Sequence, residues 1–324
     1  MSASTPPPSA DDGSGELTLY VKAGENGAEI GDCPFAHFVR LVAALRGLAL
    51  TVEPLTPSNK PQWLLDGYGG SLPCLVPGRG RTAEALVESS VIAEFVNNYR
   101  CSTTPAADNS ERIPPLDAGT GEADAAVAGL FPAIAKFLKN TATDPVADGS
   151  GGEEGSTDPA KSAEEEEIAQ TQLTELEKAL FEKLETLNRH LEAMLLQDRD
   201  VRKRAGYLGG MTMAGGPGLG MADCSLAPKL YHLQVAGRHY HPRFMREAFD
   251  ATVEEKAEGA AGEGGTSKDP QDAKEGGSAK SPSLPLRLGA IKAYMEALFQ
   301  HPTFLETVYP EDQVIWGWGN ARKG

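Results

Sequence analysis

The chain has 324 residues, which is enough for two domains that each bury a hydrophobic core. Hydrophobic residues make up 40% of it, as in ordinary globular proteins, so the composition does not indicate a membrane protein. The net charge of -16 argues against nucleic acid and anionic membranes as partners. The four cysteines are scattered and lack the Cys/His spacing of a zinc site, so we expect neither a disulfide scaffold nor a metal site.

The first elements of the chain predict an α/β domain. Residues 1–15 carry no Arg or Lys and no apolar core, so we expect a disordered extension rather than a targeting peptide. This favours a cytosolic protein, with a processed plastid form as the alternative. Periodicity predicts a strand over Leu17–Val21, a helix over Pro34–Leu48 and a strand over Leu50–Leu55, which is the order of a β-α-β unit.

A short helix, a hairpin and a longer helix are predicted to complete this domain, which we expect to span residues 16–100. The short helix lies near Asn59–Leu65, and the turn residues Gly78–Arg81 separate two apolar runs of a hairpin. The longer helix covers Glu88–Val96, with a serine at its start. The polar, proline-containing stretch 101–124 is predicted to be a linker.

Beyond the linker, residues 125–324 are predicted to form an all-helical domain. Two tracts, at about 146–163 and 252–283, are poor in large apolar side chains and are expected to be flexible insertions. The predicted helices are Ala125–Asn140, Glu164–Gln197, Met221–Tyr240 and Leu284–Phe299, followed by a short C-terminal tail.

Cys33 is the main candidate for chemistry because it directly precedes Pro34 at the start of a predicted helix. Unpaired backbone N–H groups and the helix dipole favour a thiolate there, and the thiolate is the nucleophile. The alternative is a buried structural cysteine. Position 36 is Ala36, so there is no C-x-x-C pair, and a resolving thiol must come from a small molecule such as glutathione.

Two further segments could hold such a ligand. Leu72-Pro73 opens a strand after a glycine-rich turn, and the backbone of the residue before such a proline can pair with a peptide-like ligand. The alternative is an ordinary edge-strand proline. Glu88-Ser89 begins a helix whose N–H groups could receive a carboxylate, or the serine could be only a helix cap.

Charged and aromatic residues elsewhere are weaker candidates. Lys22 could stabilise a thiolate and anionic ligands, whereas the charge of Asp32 would raise the cysteine pKa, so Asp32 is better assigned to substrate orientation or proton transfer. Both could equally be solvated loop residues. His232 could be a hydrogen-bonded core histidine, and Trp318 could cover a cleft or pack the last helix.

Longer strings spread over the chain carry a resemblance to one family. The strings are Leu19-Tyr-Val-Lys-Ala, Gly31-Asp-Cys-Pro-Phe, Lys60-Pro-Gln-Trp, Phe131-Pro with Lys136-Phe-Leu-Lys, Ser225-Leu-Ala-Pro-Lys-Leu-Tyr-His-Leu, and Val314-Ile with Gly317-Trp. They resemble the plant-type dehydroascorbate reductases, a branch of the glutathione transferase superfamily related to the chloride intracellular channel proteins. The similarity spans about Leu17 to Trp318, apart from the two insertions.

The resemblance implies a thioredoxin-like N-terminal domain and a helical C-terminal domain. It implies glutathione-dependent reduction of dehydroascorbate by a monomer, with glutathione as co-substrate, no tightly bound cofactor and no stable membrane insertion. The catalytic residues it implies are Cys33, Asp32 and Lys22. The implied glutathione-binding residues are Lys60, Leu72, Pro73, Glu88 and Ser89. The implied ascorbate-binding residues are Lys22, Asp32, His232 and Trp318.

Two positions depart from the family pattern, and three other functions remain as alternatives. Ala36 stands where the family commonly has serine, and the omega-class transferases resemble this chain there. Gly220 stands where the superfamily's helix cap before Asp223 is usually Ser or Thr. The alternatives are an omega-like thioltransferase, a channel-like membrane-associating protein and a non-catalytic interaction module, which a normal, unreactive Cys33 pKa would favour. Against the second, the apolar stretch from Phe35 to Val52 carries charged residues and makes a poor membrane span.

Overall fold

The computed structural model describes residues 17–78, 84–99, 113–117, 119–142, 159–197, 212–213, 218–250 and 288–323. Residues 1–15, the tract 252–283 and most of the tract 146–163 therefore lie outside the described residues, and the predictions for them stay predictions. No helix in the described ranges is both long and apolar enough to cross a membrane.

The N-terminal part is a four-stranded mixed sheet with three helices, which confirms the predicted thioredoxin-like domain. The strands lie in the order β2-β1-β3-β4, with β1 parallel to β2 and antiparallel to β3, and β3 antiparallel to β4. The strands are β1 (Leu17–Lys22), β2 (Leu50–Leu55), β3 (Cys74–Pro77) and β4 (Leu86–Val87). The helices are α1 (Pro34–Leu45), α2 (Gln62–Tyr68) and α3 (Ser89–Asn98).

The apolar spacing of the sequence accounts for these elements. Leu17, Leu19 and Val21 alternate with more exposed residues along β1, so one face of the strand enters the core. Helix α1 ends at Leu45 rather than at the predicted Leu48, because Gly47 adopts a φ of 63° that stops the helix.

The C-terminal part is helical, as predicted, and its long helix α7 has the predicted bounds. The helices are α4 (Gly121–Val127), α5 (Leu130–Lys139), α6 (Pro159–Gln197), α7 (Met221–Tyr240), α8 (Pro242–Met245) with a π turn (Arg246–Asp250), α9 (Gly289–Phe299), α10 (Pro302–Thr307) and α11 (Glu311–Ala321).

Several predicted boundaries were wrong. A helix starts at Gly121, inside the predicted linker, because the Thr120 hydroxyl accepts a hydrogen bond from the Ala123 N–H at 3.2 Å and caps it. The single helix predicted over 125–140 is broken by Gly129, whose φ is 73°. Helix α6 begins at Pro159, within the tract predicted to be flexible, because Ala, Glu and Lys are strong helix formers.

The predicted C-terminal tail was the largest error, since it forms the helices α10 and α11. Pro302 occupies the first position of α10, where its missing N–H costs no hydrogen bond. Glu311 and Asp312 lie in the first turn of α11, where negative charge stabilises the helix dipole.

A buried carboxylate joins the helical elements at the start of α7. Asp223 is fully buried and accepts hydrogen bonds from the Met213 N–H (2.8 Å), the Gly220 N–H (2.9 Å) and the Tyr294 hydroxyl (2.8 Å). Burial raises the pKa of Asp223, while these donors lower it and so limit the rise. Gly220 has no side-chain oxygen, so the Asp223 carboxylate caps this turn together with the Asp117 carbonyl, which accepts from the Met221 N–H at 2.8 Å.

We expect Asp223→Ala to lower the free energy of unfolding by about 3 kcal/mol or more, because it leaves three buried donors without acceptors. The matched variant Tyr294→Phe keeps the packed ring and removes one hydrogen bond, so it should cost about 1 to 2 kcal/mol. Urea unfolding measures both. Equal losses in the two variants would contradict the assignment of Asp223 as the shared acceptor.

Candidate functional site

Cys33 caps the N-terminus of α1, as the sequence predicts, and is half-buried. The loop before it is held in place because the Gly31 N–H donates to the Lys22 carbonyl at 2.8 Å. A Cβ on Gly31 would lie 2.6 Å from the Ala23 carbonyl oxygen, so only glycine fits where this loop crosses the end of β1. The thiol is thereby placed at the carboxyl end of β1.

The environment of the Cys33 thiol raises its pKa overall. Burial is the largest cause and the Asp32 charge adds to it, while the N–H groups of Ala36 and Phe35 and the charge of Lys22 lower it. The N–H groups at the helix start thus lower the Cys33 pKa, as predicted, but burial raises this pKa by more. The free protein therefore holds Cys33 mainly as a thiol at neutral pH.

Asp32 is buried between a lysine and the last helix. Its Oδ1 accepts a hydrogen bond from the Lys22 ammonium at 2.7 Å, and the residue is 7% exposed. Its carboxylate also packs against the backbone of Gly317 in α11, so closely that a Cβ there would overlap it. The Lys22 ammonium lies 5.6 Å from the Trp316 ring centroid, within range of a cation-π interaction.

His232 and Trp318 come together behind Asp32. The Trp318 indole N–H donates to His232 Nδ1 at 2.9 Å, and His232 Nε2 lies 2.7 Å from the Tyr309 hydroxyl. Burial lowers the pKa of His232 to about 4, although the nearby Asp32 charge opposes this, so the imidazole is neutral at physiological pH. Trp318 is 7% exposed and His232 is 1% exposed, so ligand contact would require an opening of this cluster.

Two of the segments predicted to hold glutathione lie at the same end of the sheet. Strand β3 begins at Cys74, which pairs with Tyr20 of β1 and with Val87 of β4. Leu72 precedes β3 and Ser89 follows β4 at that end. The Leu72-Pro73 peptide bond is cis, and within the described ranges no hydrogen bond to the backbone N–H or C=O of Leu72 is found.

The start of α3 has an unusual backbone. Glu88 precedes the helix with a φ of 69°, which is uncommon for a residue other than glycine and often marks a functional site. Ser89 begins α3 and is half-buried, and the first N–H groups of a helix can receive a carboxylate. Lys60, the remaining residue predicted to bind glutathione, donates to the Gly70 carbonyl at 2.7 Å, and no described contact joins it to Cys33.

The remaining described cysteines do not offer a second thiol. Cys74 is buried in β3, where burial raises its pKa to about 12, and Cys224 is buried in α7 with a pKa well above the usual range. Cys101 lies outside the described residues. In the part of the chain that the structure describes, no group of His, Cys, Asp and Glu side chains could hold a metal ion.

Sequence reasoning named Trp318 but gave no site role to Tyr309, Gln313 and Gly317 in the last loop and helix. Gly317 lies against the Asp32 carboxylate, Tyr309 contacts His232, and Gln313 Oε1 accepts a hydrogen bond from the Glu25 N–H at 3.2 Å. The two tryptophans flanking Gly317 were the available signal, since a glycine between large aromatic side chains indicates a close backbone approach.

Comparison with known proteins identifies related sequences. Residues 32–98 match the family model "Glutathione S-transferase, N-terminal domain". A curated relative, "Probable glutathione S-transferase DHAR1, cytosolic" of Oryza sativa subsp. japonica, is 26% identical over 290 residues, covering 89% of this chain and 90% of the relative.

Two solved structures resemble this chain, and the first of them shares its fold. Chlamydomonas reinhardtii dehydroascorbate reductase aligns with a TM-score of 0.56 and 22% identity, covering 94% of this chain and 98% of that chain. Glutathione transferase Omega 3C from Trametes versicolor aligns with a TM-score of 0.47 and 15% identity, covering 91% of this chain and 90% of that chain. The N-terminal match and the distant relative are both glutathione transferases, so the chain is similar to members of that superfamily, and the Chlamydomonas structure shows a shared fold.

Proposed function

We propose that the protein reduces dehydroascorbate to ascorbate with glutathione, using Cys33 as its single catalytic thiol. The observation that supports this proposal is the position of Cys33 at the start of α1, beside the Lys22–Asp32 ion pair and at the end of the sheet where β3 begins. The superfamily relationship supports glutathione as the reductant. The sequence resemblance to dehydroascorbate reductases and the rice relative named DHAR1 support the oxidant.

The residues allow a balanced reaction in three steps. The Cys33 thiolate adds to a carbonyl carbon of dehydroascorbate and forms a carbon–sulfur bond. A glutathione thiolate then attacks the Cys33 sulfur, which breaks that bond, releases the electron pair to ascorbate and leaves a Cys33–glutathione disulfide. A second glutathione attacks this disulfide, releasing glutathione disulfide and the Cys33 thiolate. Overall, two thiols are oxidised to one disulfide and one dehydroascorbate is reduced.

The neighbouring groups have distinct roles in this scheme. The Lys22 ammonium would stabilise the negative charge that develops on the leaving enediolate, and the N–H groups of Phe35 and Ala36 would stabilise the Cys33 thiolate. The backbone of Leu72 and the first turn of α3 at Ser89 would hold the peptide and carboxylate of glutathione.

We expect Cys33→Ser to abolish glutathione-dependent ascorbate formation, with a loss of about a thousandfold or more, because serine cannot form the mixed disulfide. The assay follows ascorbate in the ultraviolet, with thermal unfolding to verify the fold. Cys101→Ser, which leaves Cys33 in place, is the matched control and should keep its activity. Near-normal turnover by Cys33→Ser would contradict the assignment of Cys33 as the catalytic thiol.

Substrate choice separates the proposed reductase from a thioltransferase that uses the same cysteine. Ala36 is the residue that favours the thioltransferase, since it removes a hydroxyl that the reductases commonly have near the thiol. We expect the ratio of kcat/KM for dehydroascorbate to that for a glutathionylated model disulfide to exceed one. A ratio well below one, with Cys33 still required, would assign the protein as a thioltransferase.

The Lys22–Asp32 pair predicts opposite effects on Cys33 reactivity. Asp32→Asn removes a charge that raises the Cys33 pKa, so iodoacetamide should alkylate Cys33 faster at pH 7.5. Lys22→Met removes a charge that lowers this pKa, so alkylation should slow. Each midpoint should move by roughly one pH unit or less. Alkylation rates between pH 6 and 10 measure both, and midpoints moving in the same direction would contradict the electrostatic roles.

A further inference from the structure

Tyr309 lies in the loop between α10 and α11, and neither the sequence analysis nor the proposed mechanism gives it a role. It is 4% exposed, and its hydroxyl is held by His232 at 2.7 Å. A buried hydroxyl both donates and accepts hydrogen bonds, so its partners decide what it can do for a nearby reacting group.

The hydrogen-bond chain determines which way the Tyr309 proton points. The Trp318 indole N–H can only donate, so His232 Nδ1 must be the acceptor of that bond. The imidazole is neutral, so its one proton is on Nε2 and is donated to the Tyr309 oxygen. The Tyr309 hydroxyl therefore accepts from His232 and keeps its own proton free to donate.

No acceptor for that proton is found among the described residues. The one hydrogen bond of the hydroxyl is to His232, while the Tyr309 carbonyl separately accepts from the Tyr231 hydroxyl at 3.1 Å. A buried donor without an acceptor is costly and is usually explained by a ligand, an ion or a functional role. His37 Nδ1 is also without a partner, but no described hydrogen bond joins it to Tyr309.

Tyr309 packs against the helix that begins at Cys33. Its ring centroid lies 5.1 Å from that of His37, whose backbone N–H donates to the Cys33 carbonyl at 3.1 Å on the first turn of α1. The charge of Cys33 is among those that act on the Tyr309 hydroxyl. The charged and titratable groups facing Tyr309 from the packed elements are Asp32, Cys33, His37, Arg40, Tyr231 and His232.

Burial and the nearby negative charges keep the Tyr309 hydroxyl protonated. Burial is the largest cause that raises the pKa of Tyr309 well above its usual range, and the negative charges of Cys33 and Asp32 raise it further, while Arg40 lowers it. Asp32 Oδ1 already accepts from Lys22 and its carboxylate is packed on Gly317. The Cys33 sulfur becomes a negatively charged hydrogen-bond acceptor only when it ionises to the thiolate.

We propose that the Tyr309 hydroxyl donates a hydrogen bond to the Cys33 sulfur when that sulfur is a thiolate, and that Trp318 and His232 orient the hydroxyl for this purpose. The proposal rests on the proposed function only for the role of Cys33 as nucleophile. It makes Tyr309 a further residue that stabilises the nucleophile, and it makes His232 and Trp318 positioning residues rather than ligand contacts.

The test is the pKa of Cys33 in Tyr309→Phe, measured from thiolate absorbance and from alkylation rate against pH. The variant keeps the ring and removes the donor, so the Cys33 pKa should rise by about one pH unit and alkylation at neutral pH should slow about tenfold. Tyr231→Phe is the matched control, because it removes a buried hydroxyl from the same cluster. It should lower stability without moving the Cys33 pKa.

Trp318→Phe provides a second, independent readout. Without the indole donor, His232 can carry its proton on Nδ1 and accept from Tyr309 at Nε2, which turns the hydroxyl away from sulfur. This variant should therefore raise the Cys33 pKa in the same direction, and combining it with Tyr309→Phe should add little further change. Fully additive changes would contradict the relay.

An unchanged Cys33 pKa in folded Tyr309→Phe, or an equal rise in Tyr231→Phe, would overturn the proposal. These measurements use no substrate, so their outcome is separate from that of the proposed function. If the protein does not turn over dehydroascorbate, the proposed function fails, but the pKa measurements on Cys33 still test the role of Tyr309. If turnover is normal and the Cys33 pKa is unchanged in Tyr309→Phe, only the role of Tyr309 is rejected.

Discussion

The site depends on one close contact, in which the Asp32 carboxylate lies between the Lys22 ammonium and the backbone of Gly317. This contact joins the thioredoxin-like domain to the last helix, and it sets the position of the residue next to Cys33. A side chain at position 317 would push α11 away from the thiol. The Asp32 carboxylate is buried and the Lys22 ammonium is half-exposed, so the carboxylate charge is neutralised without burying a second charge.

Behind this contact, the polar groups of the buried cluster are arranged to avoid net charge. Burial lowers the pKa values of His37 and His232, so both imidazoles are neutral and serve as hydrogen-bonding groups. Opposing effects act on the Cys33 pKa. Burial and the Asp32 charge favour the protonated thiol, whereas the helix N–H groups and the Lys22 charge favour the thiolate. A group that donates to the sulfur therefore has a large effect on reactivity.

Sequence patterns were sufficient for the N-terminal domain and for Cys33. The alternation along β1, the apolar spacing of α1 and the Cys33-Pro34 pair are local signals, and each predicted element forms. The C-terminal loop and helix could not be predicted in this way, because Gly317 weakens the helical signal of α11. The roles of Tyr309 and Gly317 and the direction of the Cys33 pKa depend on contacts between distant segments, which local patterns do not report.

The pairing of Asp32 with Gly317 has a consequence for how the protein is made. The thiol loop belongs to the first β-α-β unit, but its cover is supplied by a helix that begins at Glu311, so the contact closes a loop of almost the whole chain. Contacts of such long sequence separation form late in folding. During synthesis and refolding, Cys33 is consequently open to oxidants before it gains the neighbours that control its chemistry, and a reducing environment protects it during that interval.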